Sequence, residues 1–241
     1  MQNKILKFHH PEFEQEVRER TGIHDRDITA EDALQVTQLY LGNFTFEDED
    51  VETLYCFSNL KELDIEMREK NMRFWKHFSK LEDLCWVVWG SCVDFEVFGH
   101  MHELSALTVS GGVYSNIPFK NLEALLPLKK LESLELHEFG AVDIAPLGRM
   151  TQLKSFYLRY SNEVKNIETI GEMRWLEHLN MDGLYVDNLD FLDNLPDHVE
   201  LDMCGIEIYG NPNVDVQKWK RFQNADICEI AVKDPYWRYI Y

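Results

Sequence analysis

Apolar residues recur along this chain in a fixed order: one apolar residue, two variable residues, a second apolar residue, one variable residue and a third apolar residue. Eight copies occur, with their central apolar residues 21 to 27 residues apart. The copies are Val36-Leu39-Leu41, Leu60-Leu63-Ile65, Leu81-Leu84-Trp86, Leu104-Leu107-Val109, Leu131-Leu134-Leu136, Leu153-Phe156-Leu158, Leu176-Leu179-Met181 and the shorter Leu201-Met203. Each copy predicts a short strand with a buried apolar face, and a regular period of this length predicts that the strands stack in parallel.

The segments between the predicted strands are too short for long helices. Residues 141–150 and 167–171 are examples, and we expect single helical or 3₁₀ turns there, on the side opposite the strands. The longest step contains residues 110–118, whose glycines and polar residues predict a loop between the fourth and fifth strands. A neutral insertion and a binding loop both explain this segment.

Residues 1–35 precede the repeats and predict a helical N-terminal cap. Pro11 suits the first turn of a helix over 11–20, and Thr21-Gly22 suits its end. A second helix is predicted over 27–34, with Thr29 as its N-cap. Repeat stacks need such caps because their first strand would otherwise expose an apolar edge.

Residues 36–204 hold the repeats, and residues 205–241 leave the pattern. The turn at 211–213 precedes a predicted helix over 214–223 and a predicted strand over 226–232, in which Ile227, Glu229 and Ala231 share one face. The final residues, 234–241, are densely aromatic. We expect 205–241 to form a C-terminal cap, with a docking segment as the alternative for its aromatic tail.

The repeats resemble those of bacterial leucine-rich repeat proteins of the internalin/SDS22-like type, which are about 22 residues long. The entry segment 28–39 (ITAEDALQVTQL) and the segment 142–147 (VDIAPL) carry the resemblance together with the repeated anchors. It covers roughly 28–204. It implies an α/β fold, a leucine-rich repeat solenoid with a curved parallel sheet on the concave face and short helical or 3₁₀ turns on the convex face. It also implies protein binding, with no catalytic residues to transfer.

One position departs from that family, which usually places Asn three residues past the last anchor of each repeat. This chain places Phe44, Arg68, Trp89, Gly112, Phe139, Ser161, Leu184 and Ile206 there. We therefore expect large apolar side chains to fill much of this corner, and its backbone groups to find other partners.

The net charge of −19 argues against nucleic-acid and anionic-membrane partners, because phosphates must be neutralised by Lys and Arg. An acidic protein attracts basic proteins from a distance, although acidity also serves solubility. We therefore predict a protein partner of basic character, and neither a nucleic-acid nor a membrane partner. No stretch is long and apolar enough to span a bilayer, and we expect a monomer when free.

Five cysteines, Cys56, Cys85, Cys92, Cys204 and Cys228, are scattered without any CxxC pair. The scatter predicts free thiols in a reducing cytosol and no zinc site. Since no secretory signal is visible either, we predict a cytoplasmic location.

The outward positions of the eight strands number 24, of which eight are acidic and one is basic. If the net charge of −19 were spread evenly over the chain, these 24 positions would carry a charge of only about −2. The sequence therefore predicts a partner-binding concave face. Its candidate residues are Tyr40, Glu62, Asp64, Glu66, Asp83, Glu135, His137, Tyr157, Arg159, His178, Asp182, Glu200 and Asp202.

Catalytic arrangements are discounted. Cys85, His137 and Cys204 fall on the third, fifth and eighth strands, which keeps them roughly two or three 4.8 Å spacings apart. His178 is predicted one strand from Glu200 and Asp202, where a surface polar pair explains the contact. We predict no catalytic residues, no metal ligands and no cofactors.

Two functions fit these observations. The first is an acidic inhibitor or immunity-type protein that neutralises a basic partner such as a bacterial toxin or nuclease domain. The second is a cytoplasmic scaffold or signalling adaptor that binds a protein or peptide through the 110–118 loop and the aromatic tail. An enzyme is the third hypothesis, and it requires a deep pocket containing His178 and carboxylates with strongly shifted pKa values.

Overall fold

The computed structural model describes residues 4–46, 48–67, 72–112, 116–161, 163–210 and 214–233. Nine strands pair in parallel and in chain order within them, forming one open sheet. They are β1 Gln38–Phe46, β2 Glu62–Met67, β3 Asp83–Val88, β4 Ala106–Ser110, β5 Ser133–His137, β6 Ser155–Arg159, β7 His178–Asn180, β8 Glu200–Cys204 and β9 Gln223–Cys228. The predicted fold class, a leucine-rich repeat solenoid, is confirmed.

The anchors of the repeats form a continuous apolar interior behind this sheet. Leu63, Leu84, Leu134 and Leu179 are at most 2% exposed, and the burial of each favours folding by roughly 1.5–3 kcal/mol. The opposite wall consists of single 3₁₀ turns, as predicted for the convex side. They are Met72–His77, Phe95–Phe98, Leu122–Leu125, Ala145–Arg149, Ile167–Glu172, Asp190–Asn194 and Val216–Arg221.

Short strands pair in parallel along the path from the sheet to the convex side. Val93–Asp94 pairs with Phe119–Lys120, and Ala141–Asp143 pairs with Glu163–Lys165. A third group joins Tyr185–Val186, Glu207–Ile208 and Ala231–Val232. These secondary ladders were not predicted, because each is only two or three residues long.

The two predicted N-terminal helices are present. Helix α1, Pro11–Thr21, begins at the predicted proline and ends at Gly22, whose φ of 68° is a left-handed value that glycine adopts at little cost. Helix α2, Ala30–Ala33, is shorter than predicted, and its N-cap is the predicted Thr29, which forms a capping box with Asp32. No helix of the described residues has the length and apolar character that crossing a membrane requires.

A third helix, α3 Asp48–Leu54, was not predicted. It carries Asp50, a carboxylate with no exposed surface, which accepts the backbone N–H groups of His9 at 2.8 Å and His10 at 3.0 Å. This buried acceptor ties the start of the chain to the first repeat.

The C-terminal region differs from the prediction in its strand boundaries. A 3₁₀ turn replaces the predicted helix over 214–223, and the predicted strand over 226–232 is divided between β9 and Ala231–Val232. The division occurs at Glu229, whose φ of 52° lies outside the extended region. The prediction that Ile227, Glu229 and Ala231 share one strand face is therefore wrong.

Three predicted features lie outside the described residues: the centre of the loop at 113–115, the turn at 211–213 and the aromatic tail at 234–241. The chain returns from the loop at Ile117, which is 1% exposed and forms a bridge with Phe139.

The corner that follows each strand contains apolar side chains, as predicted. Phe139, Leu184 and Ile206 are buried there, whereas Trp89 is 37% exposed and the side chains of Phe44 and Arg68 lie outside the described part. The residue just before each corner position donates a backbone hydrogen bond to the next repeat. The N–H of Glu138 donates to Arg159 O, that of Tyr160 to Asp182 O and that of Gly183 to Cys204 O.

These three backbone donors have left-handed conformations, and so does Gly205 in the next repeat. Glu138, Tyr160, Gly183 and Gly205 occupy equivalent places after β5, β6, β7 and β8, and their φ values lie between 50° and 68°. We call them the left-handed ladder. Its backbone N–H groups make some of the hydrogen bonds between neighbouring turns that an asparagine side chain makes in the internalin type of repeat.

The prediction of free thiols is wrong for two of the five cysteines. Cys204 and Cys228 lie opposite each other on β8 and β9, with Cα atoms 4.7 Å apart, and they form a disulfide. Cys56, Cys85 and Cys92 are free. The scattered spacing concealed the pair because it spans one full repeat, and only the strand register brings the two residues together.

Candidate interaction surface on the concave sheet

Alternation along the strands turns the predicted candidate residues outward. On β2, Leu63, Ile65 and Met67 are buried, while the alternating residues Glu62, Asp64 and Glu66 are partly exposed. Twelve candidates lie on strands of the sheet and Asp182 lies two residues after the end of β7, and all of them are half-buried or exposed. The sheet register then determines which of them meet.

Glu62, Asp64 and Asp83 form what we call the N-terminal acidic zone. Glu62 lies opposite Asp83 in the register of β2 and β3, and Asp64 lies opposite Cys85. No described Lys, Arg or His forms an ion pair with these three carboxylates. Like charges opposite each other on adjacent strands repel, so this zone has a local cost in stability.

The neighbours of the N-terminal acidic zone are uncharged donors. Glu62 accepts from Gln38 Nε2 at 2.7 Å and from Tyr40 Oη at 2.9 Å. The Asp64 carboxylate lies close over Gly42, where a Cβ would stand 2.6 Å from Asp64 Oδ1. A glycine is therefore required at this point for the observed placement of Asp64.

Burial raises the pKa values of two carboxylates in this zone. For Asp64 burial is the main cause, and for Asp83 the charges of Glu62 and Asp64 add to it. Burial, followed by the charge of Asp64, raises the pKa of the Cys85 thiol to about 12. The raised pKa values of Asp83 and Cys85 thus reflect burial first and the neighbouring carboxylates second.

The middle of the face has a different arrangement, which we call the central network: Glu135, His137, Arg159, Asn180 and Asp182. Arg159 donates through Nη1 to Glu135 Oε1 at 3.2 Å and through Nε to Asn180 Oδ1 at 2.9 Å. Its Nε also lies 3.7 Å from Asp182 Oδ2, and His137 Nε2 contacts Glu135 Oε1. The guanidinium lies over the Tyr157 ring, 5.2 Å from its centre.

The central network neutralises its own acids. Burial raises the pKa of Glu135, but the hydrogen bond and charge of His137 and the charge of Arg159 outweigh it and hold that pKa below its ordinary value. Arg159, the one basic candidate, is therefore committed to residues of its own sheet. Asn180 is only 5% exposed and belongs to this network, which the sequence did not indicate.

Glu200, Asp202 and Asp226 form a C-terminal acidic zone. His178 Nδ1 lies 2.7 Å from Glu200 Oε2, which confirms the predicted contact, and Asn224 Nδ2 donates to Glu200 Oε1 at 2.8 Å. Asp202 lies opposite Asp226, and its pKa is raised by burial and by the charges of Asp226 and Asp182. Asp226 was missed because its strand was predicted without a register.

Large aromatic side chains are exposed beside these zones. Tyr40 is 43% exposed and has the Arg20 guanidinium over its ring, 4.7 Å from the centre. Tyr160, in the left-handed ladder, is 58% exposed, and its ring lies against Gly183. Exposed tyrosines beside charged groups are frequent at protein interfaces.

Among the described residues, no group of three or more His, Cys, Asp or Glu side chains is arranged to hold a metal ion. A groove of about 380 Å³ lies on another side of the solenoid, between Phe119–Lys120 and Ala141–Asp143. None of the candidate residues lines it, and it does not contain His178.

Comparison with solved structures supports the fold at low sequence identity. The chain is similar to internalin C2 of Listeria monocytogenes, with a TM-score of 0.64 and 16% identity over 92% of this chain and 93% of the other. Internalin F of the same organism gives 0.61 and 14% over 91% and 69%.

The leucine-rich repeat ectodomain of the Arabidopsis receptor kinase HAESA, solved with a peptide hormone ligand, gives a TM-score of 0.53 and 16% identity over 74% and 32%. No family model matches the chain, and no curated protein matches it. The chain therefore has the leucine-rich repeat fold, and these comparisons extend no further than the fold.

Proposed function

We propose that this protein is a non-catalytic solenoid that binds a basic protein partner on its concave sheet, as an inhibitor or immunity-type protein does. The observation that carries the proposal is the N-terminal acidic zone, where three carboxylates share adjacent strands and have no cationic partner among the described residues. Such an arrangement is costly in the free protein, and a cation from a partner would relieve the cost.

The shape and the side chains support the same role. Nine parallel strands present a broad face, and Tyr40 and Tyr157 add aromatic surface beside the acids. Aromatic groups provide binding energy, while charges accelerate the encounter and select the partner's sign. A peptide ligand bound to HAESA is a precedent on the same fold at 16% identity.

A toxin or nuclease domain is the proposed class of partner because such domains are basic where they contact nucleic acid. The adaptor hypothesis depends on the 110–118 loop and on residues 234–241, which are partly or wholly outside the described residues, and no observation favours it. We further propose that the free protein is a monomer.

The prediction of a cytoplasmic location depended partly on five free thiols. The Cys204–Cys228 disulfide contradicts that premise, because a reducing cytosol does not maintain such a bond.

The test is a salt titration of association. The partner captured by the immobilised protein at low salt is purified, and its Kd is measured between 50 and 500 mM NaCl. We expect the affinity to fall steeply with salt, because the contacts are between opposite charges. A Kd that does not change over this range would exclude an electrostatic partner.

A matched pair of triple variants locates the surface. Glu62→Gln/Asp64→Asn/Asp83→Asn removes three charges from the concave face, and Glu123→Gln/Glu168→Gln/Glu172→Gln removes three from exposed positions near the convex turns. We expect the first variant to weaken binding by at least tenfold and the second to change it by less than threefold. Equal losses would mean that only net charge matters.

A further inference from the structure

The Cys204–Cys228 disulfide joins the last predicted repeat strand to the additional strand β9. The two residues lie opposite each other at the ends of β8 and β9, and their side chains belong to the concave face. Cys228 is exposed and Cys204 is partly exposed. A thiol reagent can therefore reach the bond without unfolding the solenoid.

Apart from this bond, β9 is attached mainly at its start, where the Gln223 N–H donates to Asp197 O at 3.0 Å and Asn224 Nδ2 donates to Glu200 Oε1 at 2.8 Å, and its later residues are held less well. Its pairing with β8 is interrupted by a register shift between Glu200 and Asp202. Asp226 of β9 lies opposite Asp202, and like charges at such positions repel each other. The apolar residues Ala225 and Ile227 are only partly buried, so β9 contributes little to the core.

The segments on either side of β9 are better anchored. Phe222 is 4% exposed and Trp219 is 1% exposed, and both belong to the apolar core. After β9, Ala231–Val232 pairs with Glu207–Ile208, and Lys233 forms an ion pair of 3.3 Å with Glu207. Opening would therefore be confined to β9 and would not spread into the repeats.

We propose that the Cys204–Cys228 disulfide is a redox-sensitive latch that holds β9 on the concave sheet and releases it when reduced. In the opening step a dithiol reductant attacks the exposed Cys228 sulfur, Cys204 leaves as a thiolate and takes a proton, and the second thiol of the reductant displaces Cys228. The reductant becomes a disulfide, and the protein gains two electrons and two protons. A small-molecule disulfide reverses the reaction by exchange.

Opening changes the surface that a partner would meet. With the latch closed, Asp226 stands beside Asp202 and extends the C-terminal acidic zone by one strand. With the latch open, Asp226 is no longer held there, and the outer edge of β8 loses its partner strand. The inference concerns the fold itself and does not depend on the proposed function.

The remaining thiol on this face does not compete for the bond. Cys85 lies on β3, five strands from β8 in the order of the sheet. Burial and the charge of Asp64 raise its pKa to about 12, so it is almost entirely protonated at neutral pH and a poor nucleophile.

The first experiment identifies the bond. The full chain is equilibrated with oxidised glutathione, alkylated without reductant, digested and mapped by mass spectrometry. We expect a peptide pair that links Cys204 to Cys228, with Cys56, Cys85 and Cys92 alkylated or carrying glutathione. Alkylation or glutathione on both Cys204 and Cys228 would overturn the proposal.

The second experiment measures release. Hydrogen exchange of the full chain is followed with and without tris(2-carboxyethyl)phosphine, and β5 serves as an internal reference. We expect amides of residues 223–228 to exchange about tenfold faster or more after reduction, with no change in 133–137, because the closed loop no longer restrains β9. Equal exchange of 223–228 in both states would overturn the latch.

Two serine variants complete the design. Cys228→Ser should show fast exchange in 223–228 without reductant, and Cys85→Ser should behave as the wild type does in both states. If Cys228→Ser does not fold, the reduced wild-type protein provides the same comparison. A response to reductant that persists in Cys228→Ser would also contradict the proposal, because that variant has no latch to open.

Discussion

The N-terminal acidic zone and the central network lie on the same face of one sheet, yet their acids are in opposite electrostatic states. Glu135 of the central network contacts His137 and Arg159, and its pKa is lowered. Asp83 of the acidic zone faces Glu62, and its pKa is raised by burial and by its acidic neighbours. The difference shows that a count of acids does not give the potential of a surface, because pairing within the surface decides which charges are available to a partner.

The largest effect that tests this comparison concerns the Cys85 thiol, which reports on the acidic zone. With its pKa raised to about 12, far less of it is thiolate at pH 8, and the greater nucleophilicity of a high-pKa thiolate offsets only part of that loss. It should therefore react with iodoacetamide roughly 10–100 times more slowly than an unperturbed thiol. The rate is measured by mass spectrometry. In Asp64→Asn/Asp83→Asn it should rise several-fold, and in urea it should reach the ordinary rate. A Cys85 that reacts as fast in the folded wild type as in urea would contradict the described field.

Removal of the Arg159 guanidinium should leave the acids of the central network with much less compensation for their charge. Arg159→Met keeps most of the side-chain volume but leaves Glu135 and Asp182 without their guanidinium. We expect the free energy of unfolding to fall by about 1–3 kcal/mol, as measured by urea denaturation at pH 7.

The matched double variant is Arg159→Met/Glu135→Gln, which should recover part of the lost stability because the carboxylate that needed the cation is gone. An Arg159→Met protein as stable as the wild type would mean that solvent, and not Arg159, compensates these acids.

The smallest effect is the pH dependence of the acidic zone itself. The pKa values of Asp64 and Asp83 are raised above the ordinary 3.8, so the folded state binds their protons more readily than the unfolded state does. Their contribution to stability therefore becomes more favourable as the pH falls from 7 toward 4 and less favourable as it rises.

Asp64→Asn/Asp83→Asn should accordingly be more stable than the wild type by about 0.2–1 kcal/mol at pH 7, and the gap should shrink as the pH falls toward 4. Denaturant titrations over this range provide the measurement. Glu135→Gln should show the opposite sign at pH 7, because the pKa of Glu135 is lowered. A gap that is constant with pH would show that repulsion is not the cause.

The sequence allowed the repeated strands, the convex turns and the start of α1 to be predicted, because each depends on local spacing or on a residue such as Pro11. It did not allow β9 to be placed, since the strand ends at the left-handed residue Glu229 and its register shows only in the pairing that sets Cys228 opposite Cys204. The sequence placed Arg159 among the acids of the concave face, but it could not show that the Arg159 guanidinium is already bound to residues of its own sheet. That distinction depends on side-chain contacts across neighbouring strands.

The left-handed ladder has a consequence for how such a chain changes over time. Because Glu138, Tyr160 and Gly183 hold successive repeats together through their backbone N–H groups, the corner does not depend on any one side chain. Substitutions there are limited by a backbone conformation and not by a chemical group, so glutamate, tyrosine and glycine are all accepted. The same architecture can therefore form without an asparagine at this corner, since the main chain supplies the hydrogen bonds between successive repeats.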